Sequence, residues 1–459
     1  MFVTGRFLAL VLLGAVPIVV YPDFATVWLW ALFCLVVVVI DVVSAGPTTV
    51  VRLYRSPTPP IRLGDATTST LYVENTGSRR FRGQIRDAWQ PSAGAGSGAS
   101  GSNRHGAGSA ASGPNRHGAG SGASGPSRHE VVVPTGERRA LTTVLRPTRR
   151  GDRRAVRVTI RRAGPLGIAG RQGSQYVAGH VRALPPFGSR KHLPSRLARL
   201  RQLDGRSAVR IRGQGTEFDS LRDYVEGDDV RSIDWRATAR RRSTVVRTWQ
   251  PEKDRHIVIV LDTSRTSAGR VGDVPRLDAA MDAALLLAAL ASHAGDRVDL
   301  IAGDRRVHRR VVGSGRTTLL NDLVNAMAPL EPALLEADWP MLGAEVAKIS
   351  RQRALLVLLT PLEPAAVEES LLPPLSVLAQ RYRVVIGSVS DPALPEMLDR
   401  RDDAREIYDA AAAARTLALR NRTAAAVGRI GVDVVDADPE QLPAALADHY
   451  LSLKARGLL

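Results

Sequence analysis

An Asp-x-Ser-x-Thr pattern follows a near-continuous apolar run in the second half of the chain. Asp262, Ser264 and Thr266 come directly after residues 256–261, which read His-Ile-Val-Ile-Val-Leu. A carboxylate and two hydroxyls spaced two residues apart place their oxygens on one side of a loop. Such oxygens suit Mg²⁺, a hard cation that retains several waters. The pattern is short, so it carries weight only if a strand precedes it and a helix follows.

A second group of charged residues lies between residues 217 and 240. They include the acidic residues Glu217, Asp228, Asp229 and Asp234 and the basic residues Arg222, Arg231 and Arg240, which could pair with them. Clustered carboxylates can act as general acids and bases, as in hydrolases, or ligate a metal. A nearby arginine keeps a carboxylate ionised, and therefore a poor proton donor at neutral pH. The sequence favours a structural ion-pair network, with a docking surface and a hydrolytic site as alternatives.

The elements around Asp262 are those of an α/β domain. The apolar run 256–261 is typical of a strand buried on both faces of a parallel sheet. Further strands are predicted at 298–302, 307–312, 355–360, 384–389 and 432–435, and helices at about 276–293, 317–328, 341–352, 365–380, 403–427 and 439–454. This alternation predicts a doubly wound sheet over residues 256–459, with Asp262 at its carboxyl edge.

Residues 44–190 are predicted to form a small all-β sandwich domain. Segments 68–74 and 154–161 alternate apolar and polar residues, and turn residues separate them. Residues 91–129 repeat a unit rich in Gly, Ser and Ala, which cannot bury enough apolar area to fold, so a disordered insertion is expected. His105, His117 and His129 recur with this repeat. A solvated tract is favoured over a metal site for them.

Residues 1–43 read as a transmembrane hairpin with helices at about 7–21 and 24–40. Each apolar run is somewhat shorter than the roughly 20 residues that span a bilayer. Arg6 precedes the first run, Arg52 and Arg55 follow the second, and the turn between them has no Lys or Arg. The positive-inside rule then predicts a two-span cell-membrane protein with both termini and the main body in the cytoplasm. A signal peptide with one anchor, or buried core helices, are the alternatives.

The basic residues are unevenly distributed. The chain of 459 residues has 63 Lys and Arg against 45 Asp and Glu, a net charge of +18, and the excess lies in the first 255 residues. A basic half could face nucleic acid or an anionic membrane surface. The hairpin accounts for the charge, and no nucleic-acid reading motif accompanies it, so no nucleic-acid partner is expected. The single cysteine, Cys34, excludes an intramolecular disulfide framework and a Cys-based metal centre.

The run from residue 217 to residue 240, followed by Asp262, resembles the bacterial family called domain of unknown function 58. The elements that carry the resemblance are Glu217-Phe218, Leu221-Arg222-x-Tyr224, Gly227-Asp228-Asp229-x-Arg231-x-Ile233-Asp234-Trp235 and Ala239-Arg240. The resemblance covers roughly residues 145–400 and makes residues 191–255 the signature region. It implies a membrane-anchored protein with a von Willebrand factor A-like domain. It also implies a protein partner, a MoxR-type AAA ATPase, and a role in assembly or maturation of a protein complex.

In such domains the Asp-x-Ser-x-Thr loop opens a metal-ion-dependent adhesion site, and here that site looks degenerate. A complete site adds a Thr from a second loop and an Asp after the fourth strand, whereas Ala337 and Pro361 stand at those places. Asp338, Thr360 and Glu363 are the candidate substitutes. We therefore expect weak Mg²⁺ binding at most, and a non-enzymatic protein-interaction module.

Overall fold

The computed structural model describes residues 1–97, 128–210, 217–250, 255–350 and 353–459. The chain is a mixed α/β protein that divides into two compact units, Met1–Leu184 and Pro185–Leu459.

The described part of the first unit contains two β-sheets and three N-terminal helices. Its strands are β1 (Phe2–Val3), β2 (Val51–Arg55), β3 (Ile61–Arg62), β4 (Thr67–Asn75), β5 (Phe81–Trp89), β6 (Ala95–Ser97), β7 (Arg128–Val133), β8 (Arg138–Leu145), β9 (Gly151–Ala163), β10 (Ala169–Gln175) and β11 (His180–Leu184). One sheet has the order β2-β4-β8-β6. The other sheet is built around β9, which pairs with β5 along one edge and with β10 and β11 along the other. Strand β7 then pairs with β5, β1 with β10, and β3 with β11.

The two sheets of the first unit share one apolar core. Strand residues alternate between the two faces of a sheet, so every second side chain points inward. Phe81 and Ile85 of β5 and Ile160 of β9 meet Leu71 and Val73 of β4, and all five are completely buried. The predicted strands at 68–74 and 154–161 are therefore present, each extended by one to three residues at both ends.

The Gly/Ser/Ala-rich insertion is shorter than the predicted range 91–129. Residues 98–127, with His105 and His117, lie outside the described residues. Residues 91–97 form a 3₁₀ turn and strand β6. His129 is buried in β7 opposite Ile85 instead of lying in a solvated tract, because it occupies an inward position of that strand. Burial lowers the pKa of His129, although the charge of Asp87 acts in the opposite direction.

The N-terminal helices are α1 (Gly5–Leu13), α2 (Ala15–Val20) and α3 (Phe24–Ser44). Among the described residues, α3 is the one helix long and apolar enough to cross a membrane, with 21 residues and a mean hydropathy of 2.6. The apolar stretch Gly5–Val20 is shorter. Helix α3 continues past the predicted end at residue 40 and includes Asp41. The buried carboxylate of Asp41 is tolerated there because it accepts hydrogen bonds from the first unit's backbone.

The second unit contains ten described strands and ten described helices. The strands are β12 (Glu217–Asp223), β13 (Val245–Gln250), β14 (His256–Asp262), β15 (Arg270–Val271), β16 (Val274–Pro275), β17 (Arg297–Gly303), β18 (Val307–Val311), β19 (Leu355–Leu359), β20 (Arg383–Val389) and β21 (Asp433–Ala437). The helices are α4 (Leu193–Arg210), α5 (Trp235–Arg241), α6 (Arg276–His293), α7 (Leu319–Met327), α8 (Trp339–Ile349), α9 (Pro364–Ala366), α10 (Leu372–Arg381), α11 (Ala393–Asp399), α12 (Ala404–Arg429) and α13 (Leu442–Arg456).

Six of these strands form one sheet in the order β18-β17-β14-β19-β20-β21. All neighbours are parallel except β18, which runs antiparallel at one edge. Val258 and Val260 of β14 pack toward α8, α10 and α12, while α6 and α13 pack on the opposite face. Counted along the chain, the strand order is 3-2-1-4-5-6, so the order reverses between β14 and β19. Sites of doubly wound sheets lie at this reversal, beyond the carboxyl ends of the strands.

Candidate functional site

Asp262 ends β14 at the point where the strand order reverses. Its side chain is buried, and one carboxylate oxygen accepts a hydrogen bond of 2.7 Å from the backbone N–H of Ser264. The other oxygen accepts from the hydroxyls of Thr266, at 3.1 Å, and Thr360, at 2.7 Å. The hydroxyls of Ser264 and Thr266 lie 3.0 Å apart. The three residues of the Asp-x-Ser-x-Thr pattern therefore meet, together with a residue that follows β19.

Thr360 is the one candidate substitute that reaches the carboxylate. It follows β19, whose carboxyl end lies beside that of β14. Asp338 instead accepts from the backbone N–H of Met341 at the start of α8, and Glu363 pairs with Arg276 at 2.7 Å. At the two departures from the adhesion-site pattern, Ala337 and Pro361 supply no side-chain oxygen. The cluster thus has one carboxylate and three hydroxyls.

These residues fit a Mg²⁺ ion poorly. Burial raises the pKa of Asp262, although hydrogen bonds from Ser264, Thr360 and Thr266 act against it. The cluster offers a cation one carboxylate and otherwise only neutral hydroxyls. The cavity beside the cluster measures about 10 Å³, roughly the room that one water needs. Among the described residues no group of three His, Cys, Asp or Glu side chains could hold a metal ion.

Replacing Asp262 with Ala is expected to destabilise the second unit by about 1–3 kcal/mol, because the Ser264 N–H and the Thr360 hydroxyl lose their acceptor. Asp262→Asn, which keeps an acceptor oxygen, should stay close to wild type. Millimolar Mg²⁺ should stabilise none of the three proteins. Amide hydrogen exchange in β14 and β19 measures the stability, and calorimetry measures binding. A heat of Mg²⁺ binding that Asp262→Ala abolishes would contradict this expectation.

A neighbouring cluster was missed by the sequence analysis. Asp304 directly follows β17 and is buried, and it accepts hydrogen bonds from the Thr263 hydroxyl at 3.1 Å and from His308 Nε2 at 2.7 Å. Burial alone would raise the pKa of Asp304, but His308 and Thr263 lower it overall. The signal was present, because Asp304 follows a buried parallel strand just as Asp262 does. The Asp304 carboxylate holds the side chain of Thr263, next to Asp262, in the loop after β14.

The segment 333–336 lies against the loop after β14. The backbone N–H of Ala333 donates to Thr263 O at 2.8 Å, the N–H of Arg265 donates to Leu335 O at 2.9 Å, and the Arg265 side chain pairs with Glu336. Between these contacts Leu334 is 84% exposed, and Leu335 is 46% exposed. We call residues 263–266 and 333–336 the rim. It combines a fixed backbone with an exposed apolar side chain.

Residues 217–250 of the signature region form a hairpin of β12 and β13 whose connection contains α5. The side chains of Glu217 and Phe218 lie outside the described set, although their backbone belongs to β12. Arg222 pairs with Asp228 at 2.5 Å across the turn at Gly227, which has a φ of 108°. Asp229 accepts from the backbone N–H of Arg231.

Asp234 begins α5 by accepting hydrogen bonds from the N–H groups of Arg236 and Ala237, each at 3.0 Å. Its partner in an ion pair is Arg247 of β13, at 2.7 Å. Arg231 and Arg240, the arginines closer in sequence, have exposed side chains and no carboxylate partner among the described residues. Backbone N–H donation and Arg247 lower the pKa of Asp234.

Arg222 and the N–H of Val225 likewise lower the pKa of Asp228. Both carboxylates are therefore held ionised, which counts against general acid catalysis. Four apolar side chains of this hairpin are exposed to solvent. They are Tyr224, Val225, Val230 and Trp235, with exposures of 36%, 61%, 65% and 70%.

A family model matches a segment that contains most of the hairpin and the whole Asp262 cluster. Residues 220–402 match the family model described as protein of unknown function DUF58. The family prediction is confirmed for this segment. Uncharacterized proteins of Mycobacterium bovis and Mycobacterium tuberculosis are 29% identical to this chain over 197 residues. The match spans 42% of this chain and 60% of the length of each relative.

Similarity to solved structures is low. A PapD-like domain of human CEP192 aligns over 30% of this chain and 87% of its own, with 10% identity and a TM-score of 0.18. A beta-glucosidase from Listeria innocua aligns over 29% of this chain and 16% of its own, with 12% identity and a TM-score of 0.15. TM-scores this low support no inference about fold or function.

Proposed function

We propose that this chain is a membrane-anchored, non-enzymatic protein-interaction module whose second unit is von Willebrand factor A-like. The strand order 3-2-1-4-5-6 with an antiparallel edge strand supports the fold proposal. The functional proposal is based on the carboxyl edge of the six-stranded sheet. The Asp262 cluster closes the place where a doubly wound sheet usually binds a small ligand, while the rim beside it exposes Leu334.

A closed edge with an exposed apolar rim suits a protein partner better than a substrate. Ligand pockets usually measure about 300–1,000 Å³, and the cavity next to Asp262 measures about 10 Å³. Protein interfaces instead use a few apolar anchors on a fixed backbone. Leu334 meets this description, because the backbone on both sides of it is hydrogen-bonded to residues 263–265.

The partner that the family resemblance implies is a MoxR-type AAA ATPase, in assembly or maturation of a protein complex. The proposed role needs the second unit on the cytoplasmic side of the membrane, where such an ATPase has access to ATP. The geometry of the first unit bears on one part of that arrangement, the position of the two ends of the helical segment. Thr4, just before α1, and Asp41, near the end of α3, both bind the turn between β9 and β10.

Because the two ends of the helical segment meet at one turn, they lie on the same side of any bilayer that α3 crosses. Residues 5–20 must then cross the bilayer as well, so we propose a two-span hairpin. In helical form this stretch covers about 24 Å. It falls short of the roughly 30 Å of hydrocarbon by an amount that local thinning can accommodate.

Leu334→Asp is expected to reduce recovery of the ATPase about fivefold or more when the full chain is purified from gently solubilised membranes. A charge placed in an apolar contact costs at least about 1 kcal/mol. Val377→Asp is the matched control, since Val377 is also exposed but lies on α10 away from the rim. Equal recovery with both variants, or no ATPase with the wild type, would overturn the docking proposal.

A further inference from the structure

Four arginines converge on the outer face of the sheet formed by β7, β5, β9 and β10. Arg86, Arg128, Arg157 and Arg161 line a shallow depression of about 190 Å³, together with Gln84, Thr159 and Gln172. The lining is therefore made of cationic and neutral polar groups. Glu130, on the same face of β7, lies opposite Gln84 and is not part of the lining.

The register of the strands brings these charges close to one another. Arg86 of β5 lies directly opposite Arg128 of β7 on one side and opposite Thr159 of β9 on the other. Arg157 and Arg161 lie two residues before and after Thr159 on the same face of β9. Like charges directly opposite each other destabilise a sheet. The arrangement is therefore unfavourable unless an anion occupies the space between the guanidinium groups.

The arginines are available for such an anion. Among the residues that the structure describes, Arg86, Arg128 and Arg157 have no carboxylate within ion-pair distance. Arg161 is oriented by a hydrogen bond of 2.7 Å to Gln172 and by the ring of Phe2, 5.3 Å from its guanidinium. Planar guanidinium groups bind phosphate through paired hydrogen bonds. The volume greatly exceeds the roughly 10–15 Å³ that one water needs, so a phosphate group fits.

We infer that this depression binds the phosphate of an anionic phospholipid headgroup. Phe2 touches Arg161, and the apolar helix α1 begins three residues later at Gly5. Three extended residues span about 10 Å, and the headgroup layer on each side of a bilayer is about 5–7 Å thick. The Arg161 end of the depression therefore lies at the level of lipid phosphates if α1 enters the membrane. The assignment of the anion to a lipid depends on the proposed membrane anchor, whereas the anion site itself does not.

The test compares three probes on the full chain in a neutral detergent: short-chain phosphatidylglycerol, short-chain phosphatidylcholine and inorganic phosphate. Phosphatidylglycerol should raise the unfolding temperature of the wild type, and phosphatidylcholine should not. The double variant Arg86→Gln/Arg128→Gln should bind phosphatidylglycerol at least about tenfold more weakly. Without any probe it should be as stable as the wild type or more so, because it removes the opposed charges.

The control is Arg139→Gln/Arg146→Gln, which removes the same charge from exposed positions in and after β8 of the other sheet. It should respond to phosphatidylglycerol as the wild type does. An equal response to inorganic phosphate would support the anion site and assign it to free phosphate instead of lipid. No response to either anion, or the same response in both double variants, would overturn the site. If the chain binds phosphatidylglycerol but is found in the soluble fraction of lysed cells, the proposed membrane anchor is overturned and the anion site is retained.

Discussion

Replacing Arg55 with Met is expected to lower the free energy of unfolding of the first unit by about 3–5 kcal/mol. Arg55 and Asp87 form an ion pair with two hydrogen bonds of 2.7 and 2.9 Å, and each side chain is only 1% exposed. Trp89 Nε1 and the Thr143 hydroxyl donate to the same carboxylate at 3.0 and 3.2 Å. Removing the arginine leaves a buried carboxylate without its cation, which water cannot reach.

Amide hydrogen exchange in β5 and β8 of the detergent-solubilised chain measures this effect. Arg182→Met is the matched control, because Arg182 pairs with Asp152 where both side chains are partly exposed, at 37% and 29%. Exposed pairs contribute about 0–1 kcal/mol. The double change Arg55→Met/Asp87→Leu should recover much of the loss, since it leaves no unpaired charge. Similar losses for Arg55→Met and Arg182→Met would contradict the expectation.

The second prediction concerns the side of the membrane on which the turn of the proposed hairpin lies. In a Cys34→Ala background, a cysteine at Asp23 is expected to react fully with a membrane-impermeant maleimide added to intact cells. A cysteine at Arg80 should react only after the membrane is opened. In the proposed hairpin the turn between α2 and α3 lies across the bilayer from the first unit, because β1 pairs with β10 and Asp41 binds the adjoining β9–β10 turn. The positive-inside rule places the first unit on the cytoplasmic side.

Arg80 suits this comparison because it is exposed in the connection between β4 and β5. Neutral substitutions at both positions, followed by hydrogen exchange in β9 and β10, show that the cysteine variants still fold. Labelling of both positions in intact cells, or of neither, would contradict the two-span arrangement. Labelling of the Arg80 position alone in intact cells would contradict the predicted sidedness.

Local sequence patterns predicted the elements of the second unit well. The strand beginning at His256 and the helix Arg276–His293 occur within one residue of the predicted bounds. Continuous apolar runs and helical periodicity depend on neighbouring residues alone, so a sequence displays them directly. The meeting of Asp262 with Ser264 and Thr266 was predictable for the same reason, since all three belong to one loop.

Contacts between distant residues were harder to predict. Thr360 was one of three candidates for the Asp262 site, because only the pairing of β14 with β19 decides which residue reaches the carboxylate. Arg247 was overlooked as the partner of Asp234, since the hairpin brings together residues 13 positions apart. The Arg55–Asp87 pair contradicts the usual rule that charged residues of a strand face solvent, and only a tertiary partner makes its burial tolerable.

If the proposed hairpin spans the membrane, its attachment at both ends has an orientational consequence. A single flexible connection would let the first unit rotate against the membrane normal. Here two separate points are fixed, by the pairing of β1 with the start of β10 and by the hydrogen bonds of Asp41 to the turn before it. Gly164 permits this close approach, because a methyl group there would come within 2.1 Å of the Asp41 carboxylate. The first unit should therefore hold a constant tilt and height above the lipid.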